Sequence, residues 1–107
     1  MTVLSARLDG LDAEGLRSVM DTLRERVKSG VIALGSSADG KVTLVTSVSN
    51  DLTKRIQAGR IVQEIAPLVG GKGGGRPDLA QGGGTDDSRL NEALDRVATI
   101  IARPGTV

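Results

Sequence analysis

Lys72 and Arg76 enclose three consecutive glycines, so the chain reads Lys-Gly-Gly-Gly-Arg at this point. A glycine has no Cβ, and another molecule can therefore approach its backbone N–H group closely. Such donors beside positive side chains suit a polyanion. The first candidates for a binding site are therefore these five residues: Lys72, Gly73, Gly74, Gly75 and Arg76.

The glycine-rich segment, residues 70 to 84, contains eight of the fifteen glycines of the chain. Flexible linkers of this kind are usually filled with serine, whereas here Pro77 fixes a backbone angle, and Leu79 and Ala80 can pack against a core. We therefore expect an ordered glycine-rich loop and a short strand. The segment follows a helical pattern and lacks Gly-Lys-Ser/Thr, so neither the phosphate-binding loop of nucleotide hydrolases nor the dinucleotide-binding fingerprint is present.

Positive charge is concentrated before and inside this segment. The 26 residues that end at Arg76 contain five Lys and Arg against two Asp and Glu, an excess of three positive charges. Lys54 and Arg55 are therefore further candidates, although an ordinary solvated face explains the same pattern. Gln81 is a weaker candidate for contact with a sugar or a base edge. The alternatives are packing within a strand for Gln81 and a salt bridge to Asp78 for Arg76.

Composition excludes several classes of protein. The chain has 107 residues and no Cys, His, Phe, Tyr or Trp. Thiol nucleophiles, disulfides, imidazole bases and ordinary zinc sites are thereby excluded, and we expect no catalytic residue, metal or cofactor. Without aromatic rings that stack on bases, an RNA-recognition sheet or an OB-fold is not expected. No apolar run approaches the roughly 20 residues of a membrane span, and no signal peptide is evident, which indicates a cytoplasmic protein without membrane contact.

Apolar periodicity predicts the order strand, helix, hairpin, helical stretch, short strand and last helix. We expect a strand at residues 3 to 8, a helix from Asp12 to Gly30, and strands 31 to 36 and 41 to 48 around Asp39-Gly40. After these we expect a helical stretch from Asp51 to Gly70 that Gly59 bends or splits, a short strand at Leu79-Ala80, and a helix between Thr85 and Pro104-Gly105. The predicted fold is a single α/β domain with a four-stranded mixed sheet, helices packed on it, and a glycine-rich loop after the second helical segment.

Two strings of residues resemble a known family. VSNDLTKRIQAG at 48 to 59 and VGGKGGGRPDLAQGGGTD at 69 to 86 are similar to the C-terminal module of alanyl-tRNA synthetase, called C-Ala, within the DHH-associated domain family. The preceding order of strand, helix and hairpin agrees. Two positions depart from the family pattern, because Gly82 stands where Ala is more frequent and Pro67 occupies a helical position.

The resemblance implies that residues 1 to 107 are one non-catalytic tRNA-binding domain, and that the parent protein is an alanine-tRNA ligase. In this interpretation the domain holds the elbow of alanine-specific tRNA and links aminoacylation with editing, which belong to other domains of the synthetase. Family phosphoesterases carry His at the position of Arg76. Hydrolase chemistry is therefore not expected.

Two alternatives remain open for the function. One is an oligomerisation module that self-associates through Ile100 and Ile101 on the last helix. The other is a free-standing nucleic-acid-binding paralogue, although Met1 directly before a strand suggests an excised domain.

Overall fold

A computed structural model describes residues 1 to 102 as one mixed sheet with helices on both faces. The strands are β1 (Thr2–Arg7), β2 (Gly30–Ala38), β3 (Lys41–Val48), β4 (Lys72–Gly75) and β5 (Leu79–Gly84). The helices are α1 (Ala13–Arg26), α2 (Ala58–Ile65) and α3 (Leu90–Ala102), with short 3-10 helices at Asn50–Leu52, Ala66–Val69 and Asp87–Arg89. The helix stop expected at Pro104-Gly105 lies outside the described residues.

The strand order in the sheet is β1-β2-β3-β5-β4, which puts β1 and β4 at the two edges. β1 runs parallel to β2, and every other pair of neighbours is antiparallel. α1 lies over β2 and β3 on one face. On the other face α3 covers β1 and β2, while α2 covers β3, β5 and β4. The prediction of a single α/β domain with a mixed sheet and helices packed on it is thereby confirmed.

Side chains that alternate along β3 form two separate cores. Leu44 and Val48 pack under α2 and α3 in the larger cluster. Val45 points to the other face, where it meets Leu16 and Met20 of α1. Both α1 residues are fully or almost fully buried, as the helical spacing of four residues requires.

Local signals in the first half of the chain gave correct predictions of the elements. The carboxylate of Asp12 accepts a hydrogen bond from the Gly15 N–H at 2.8 Å and caps α1. Asp39 and Gly40 both have positive φ, at 52° and 78°, as a two-residue hairpin turn requires. The predicted end of α1 was wrong, since Gly30 already belongs to β2.

The expectation of four strands and a glycine-rich loop was wrong. The glycine-rich segment forms two paired strands, β4 and β5, and the sheet has five strands. Strand prediction depends on alternating side chains, and a run of glycines offers none to read. Main-chain pairing alone makes Lys72–Gly75 a strand.

The second helical stretch is interrupted before Gly59. A 3-10 helix at Asn50–Leu52 is separated from α2 by the turn around Lys54, and Gly59 lies inside the first turn of α2. Pro67 lies near the start of the following 3-10 helix, where its missing N–H costs little. Gly59 therefore does not split the stretch but serves packing, as described next.

Candidate nucleic-acid interface

The glycines of the β4–β5 hairpin allow α2 to pack directly on the backbone. A Cβ added to Gly73 would lie 2.5 Å from Cγ1 of Val62, and one added to Gly82 would lie 2.6 Å from the same atom. A Cβ on Gly59 would lie 2.7 Å from the carbonyl oxygen of Gly75. Gly59, Gly73 and Gly82 are thus required by close helix-to-strand contact before any ligand is considered.

Gly74 has different surroundings. A Cβ at this position would approach only Nε2 of Gln63 at 3.4 Å and Cγ of the same side chain at 3.8 Å. Both are ordinary contacts with a flexible, exposed side chain. Gly74 is therefore the residue of β4 at which a side chain can be added without disturbing the fold.

The outer edge of β4 displays backbone groups without side chains. The Arg76 N–H donates to the Leu79 carbonyl at 3.1 Å, which makes this a hydrogen-bonded pair of the hairpin. Because antiparallel pairs alternate, Gly73 and Gly75 turn their N–H and C=O groups away from β5. β4 is the last strand of the sheet, so no strand of the described chain covers them, but the Gly75 carbonyl lies against Gly59 of α2.

A groove of about 270 Å³ runs between this edge and α2. Its lining residues are Gln57, Gly59, Arg60, Gln63, Gly75 and Pro77. No sequence signal indicated the two glutamines, and Arg60 counted only toward the local excess of positive charge. The groove combines amide side chains, one arginine and bare backbone, which can together contact phosphates and sugar hydroxyls.

The predicted site residues of the glycine-rich segment lie along the β4–β5 hairpin. Lys72 is exposed on β4, which it shares with the three glycines. Gln81 lies directly across from Gly74 in β5, but its side chain lines a different cleft, beside Glu14 and Arg17 of α1. The predicted residues of this segment are therefore brought together along the hairpin but divided between its two faces.

Lys54 and Arg55 belong to the exposed turn that leads into α2. The Ala58 N–H at the start of that helix donates to the Pro77 carbonyl at 2.8 Å. This bond fastens the helix start to the hairpin turn. Both basic residues therefore lie on the segment joined to the turn that carries Arg76.

Arg76 forms the salt bridge that the sequence offered as its alternative role. Its Nε atom lies 3.4 Å from Oδ1 of Asp78, and its side chain is 70% exposed. The same carboxylate lies 3.9 Å from Nη2 of Arg24, in α1. Exposed ion pairs of this kind contribute little to stability, so Arg76 keeps most of its surface available to solvent.

The self-association seam expected on the last helix was wrong. Ile100 and Ile101 are only 7% and 8% exposed and belong to the larger core. Within residues 1 to 102, no helix is long and apolar enough to cross a membrane. Over the same residues, no three Asp or Glu side chains form a group that could hold a metal ion.

Comparison with known proteins decides the family. The model of the DHHA1 domain matches residues 1 to 103. The chain belongs to the DHHA1 family. This DHHA1 domain is 52% identical over 101 residues to the alanine-tRNA ligase of Anaeromyxobacter dehalogenans and 55% identical over 99 residues to that of Thiobacillus denitrificans.

These alignments cover 94% and 92% of this chain but 11% of each ligase, so the chain spans about a tenth of the length of these curated relatives. A solved structure, the C-Ala domain of Aquifex aeolicus alanyl-tRNA synthetase, superposes with a TM-score of 0.86 at 31% identity. That match covers 94% of this chain and 91% of the other. The resemblance stated from the two sequence strings is thereby confirmed.

Proposed function

We propose that this DHHA1 domain, residues 1 to 107, is a non-catalytic tRNA-binding module of an alanine-tRNA ligase. Its relatives are named alanine-tRNA ligase, and its structural neighbour is the C-Ala domain of an alanyl-tRNA synthetase. The observation that carries the binding role is the outer edge of β4, where half-buried and exposed glycines pair with no further strand and lie beside basic side chains.

The hairpin suits a ligand that is recognised by its backbone. The outward N–H groups of Gly73 and Gly75 can donate to phosphate oxygens, and the Gly73 carbonyl can accept from a 2′-hydroxyl. Lys72 and Arg76 add positive charge at the two ends of the strand. A chain without aromatic side chains holds a folded RNA by shape and charge rather than by base stacking.

Three further residues extend this surface. Lys54 and Arg55 enlarge the positive region on the side of α2, together with Arg60 in the groove. Gln81 offers an amide on the other face of the hairpin, where it can reach a sugar or a base edge. The ligand thus contacts the hairpin along its length and around its edge.

In the parent protein this domain holds the elbow of alanine-specific tRNA in the cytoplasm. The described residues extend over 36 × 27 × 19 Å, so one domain grips only one region of a folded RNA. Other domains of the same synthetase supply aminoacylation and editing. A grip on the elbow links the two activities because it keeps one tRNA bound while each site acts.

Self-association is the second candidate function, and the exposed edge strand β1 favours it. β1 is the other edge strand, with Val3 42% exposed and Met1 61% exposed. An uncovered edge strand can pair with a second copy. Light scattering of the chain distinguishes the two functions, since a monomer that binds tRNA excludes self-association as the role of this surface.

Gly74→Val tests the binding surface directly. The new side chain meets only the flexible Gln63, so the melting temperature should change little, while a branched side chain on β4 blocks close approach of RNA. We expect tRNA affinity to fall about tenfold or more, equal to about 1.4 kcal/mol.

Ser5→Val, on the exposed opposite edge strand β1, is the matched control and should leave affinity unchanged. A folded Gly74→Val variant with unaltered tRNA affinity would refute the assignment of this surface.

A further inference from the structure

A second cleft lies on the other face of the sheet, where the last turn of α1 meets β2 and β3. Its volume is about 170 Å³, several times the roughly 30 Å³ of one water molecule. Five polar side chains contribute to its lining: Arg24, Lys28, Ser47, Ser49 and Asn50. None of the residues predicted to bind RNA lines this cleft.

Ser47 is the unusual member of this lining. It is only 4% exposed, and its hydroxyl forms no hydrogen bond with any residue that the structure describes. Ser49 beside it is fully engaged, since its hydroxyl accepts from the Gly30 N–H at 2.9 Å and donates to Asp51 at 2.5 Å. The Ser47 hydroxyl lines the cleft without a partner among the described residues, so it is available to donate to a polar ligand there.

Charge around the cleft favours an anion. Arg24 and Lys28 line it, and Asp51 lies at its rim beside Ser49. Asp78 also contacts Arg24, but it is shared with Arg76. Arg24, Lys28 and the nearby Arg76 outnumber the carboxylates of Asp51 and Asp78 by one positive charge. Net positive charge beside the hydroxyl donor of Ser47 suits a phosphate oxygen.

We propose that this cleft binds a phosphate of the RNA backbone, as a second contact for the strand that the β4–β5 hairpin holds. The proposal rests on the tRNA-binding function proposed above. Asp78 joins the two surfaces, because it lies 3.9 Å from Arg24 in the cleft and 3.4 Å from Arg76 at the hairpin turn. An RNA strand that crosses this turn reaches both faces at one end of the sheet.

Three variants of the 107-residue chain test the cleft by titration with tRNA at several salt concentrations. Lys28→Gln should flatten the slope of log affinity against log salt by about 0.7 to 0.9, the value for one lost phosphate contact. Ser47→Ala should lower affinity with an unchanged slope, because a neutral donor is removed. Arg26→Gln, on the same last turn but not in the cleft lining, should change neither quantity.

The outcomes separate this proposal from the tRNA-binding function. If wild type binds tRNA and Gly74→Val weakens binding, but Lys28→Gln and Ser47→Ala match wild type, the cleft proposal is overturned and the hairpin function stands. If wild type binds no tRNA, both fail.

A second titration, with inorganic phosphate, distinguishes an RNA contact from a small-anion site. The RNA assignment would be overturned if phosphate shifts the backbone amide NMR signals of Ser47 and Asn50 while Lys28→Gln and Ser47→Ala bind tRNA as wild type does. Competition between phosphate and tRNA in wild type, lost in Ser47→Ala, is the result that the proposal predicts.

Discussion

At the scale of single residues, Lys72 and Arg76 carry the same charge in different surroundings. Lys72 is exposed on β4 and forms no salt bridge within the described residues. Arg76 is paired with Asp78, which already neutralises part of its charge. We therefore expect Lys72 to interact more strongly with a phosphate than Arg76 does, although the sequence predicts the same role for both residues.

Lys72→Ala should flatten the dependence of log tRNA affinity on log salt by about 0.7 to 0.9. Arg76→Ala should flatten it less, because Asp78 shields this arginine. Filter binding or fluorescence titration over a salt series measures both slopes. An unchanged slope in Lys72→Ala would move the phosphate contact to Arg60 or Lys54.

Thr46 carries a polar atom that nothing in its surroundings uses. Its hydroxyl is fully buried without a hydrogen-bond partner, and the residue is 1% exposed on β3 between Leu44 and Val48. Thr46→Val keeps the shape and removes the unsatisfied group, whose burial costs about 1 to 3 kcal/mol. We expect the free energy of unfolding to rise by about 1 kcal/mol, measured by urea denaturation.

Thr43→Val, a less buried position of the same strand, is the control and should change stability less. A loss of stability in Thr46→Val would show that the hydroxyl has a partner in solution.

At the scale of elements, a helix cap and a hairpin turn were predictable from the sequence, whereas strand β4 was not. The helix cap at Asp12 and the hairpin turn at Asp39-Gly40 were predictable, because these residue types have specific backbone roles. Lys72–Gly75 became a strand only through pairing with β5 and contact with α2, which no local pattern records.

The candidate site shows the same division. The residues of the glycine motif were predictable because their types are unusual, and they do lie on one hairpin. The packing role of Gly73 and Gly59 was not predictable, since it depends on where α2 lies. The position of Gln57 and Gln63 in the groove was not predictable for the same reason.

The start of the last helical segment depends on Asp86. Its carboxylate accepts hydrogen bonds from the Ser88 hydroxyl at 2.6 Å and from the Ser88 N–H at 3.0 Å. Both hydrogen bonds lower the pKa of Asp86 below its ordinary value of 3.8, and the bond from the Ser88 hydroxyl has the larger effect. A lowered pKa stabilises the fold above the unfolded value, and this contribution is lost as pH falls through the folded value.

The urea midpoint of wild type should therefore stay constant from neutral pH to about pH 5 and decline below about pH 4. Asp86→Ala should be less stable at neutral pH and should decline less steeply in acid. Asp95→Ala, an exposed carboxylate further along α3, is the control and should keep the wild-type decline. An equal acid decline in Asp86→Ala would assign the effect to other carboxylates.

At the scale of the whole molecule, the sheet separates two surfaces that meet at one end. The groove of α2 and β4 lies on one face, and the cleft of α1 lies on the other. The hairpin turn with Arg76 and Asp78 lies between them. A domain of this form is suited to a folded RNA, whose backbone curves around the end of the sheet, better than to an extended strand.

The most direct test of the proposed function compares intact alanine-specific tRNA with an unstructured RNA of the same length, both titrated into the 107-residue chain between about 50 and 200 mM salt. We predict that tRNA binds about tenfold or more tightly, equal to about 1.4 kcal/mol, and that this difference persists while both affinities fall with salt. Equal affinity for the two RNAs at every salt concentration would contradict the account, because it would leave only general attraction to a polyanion.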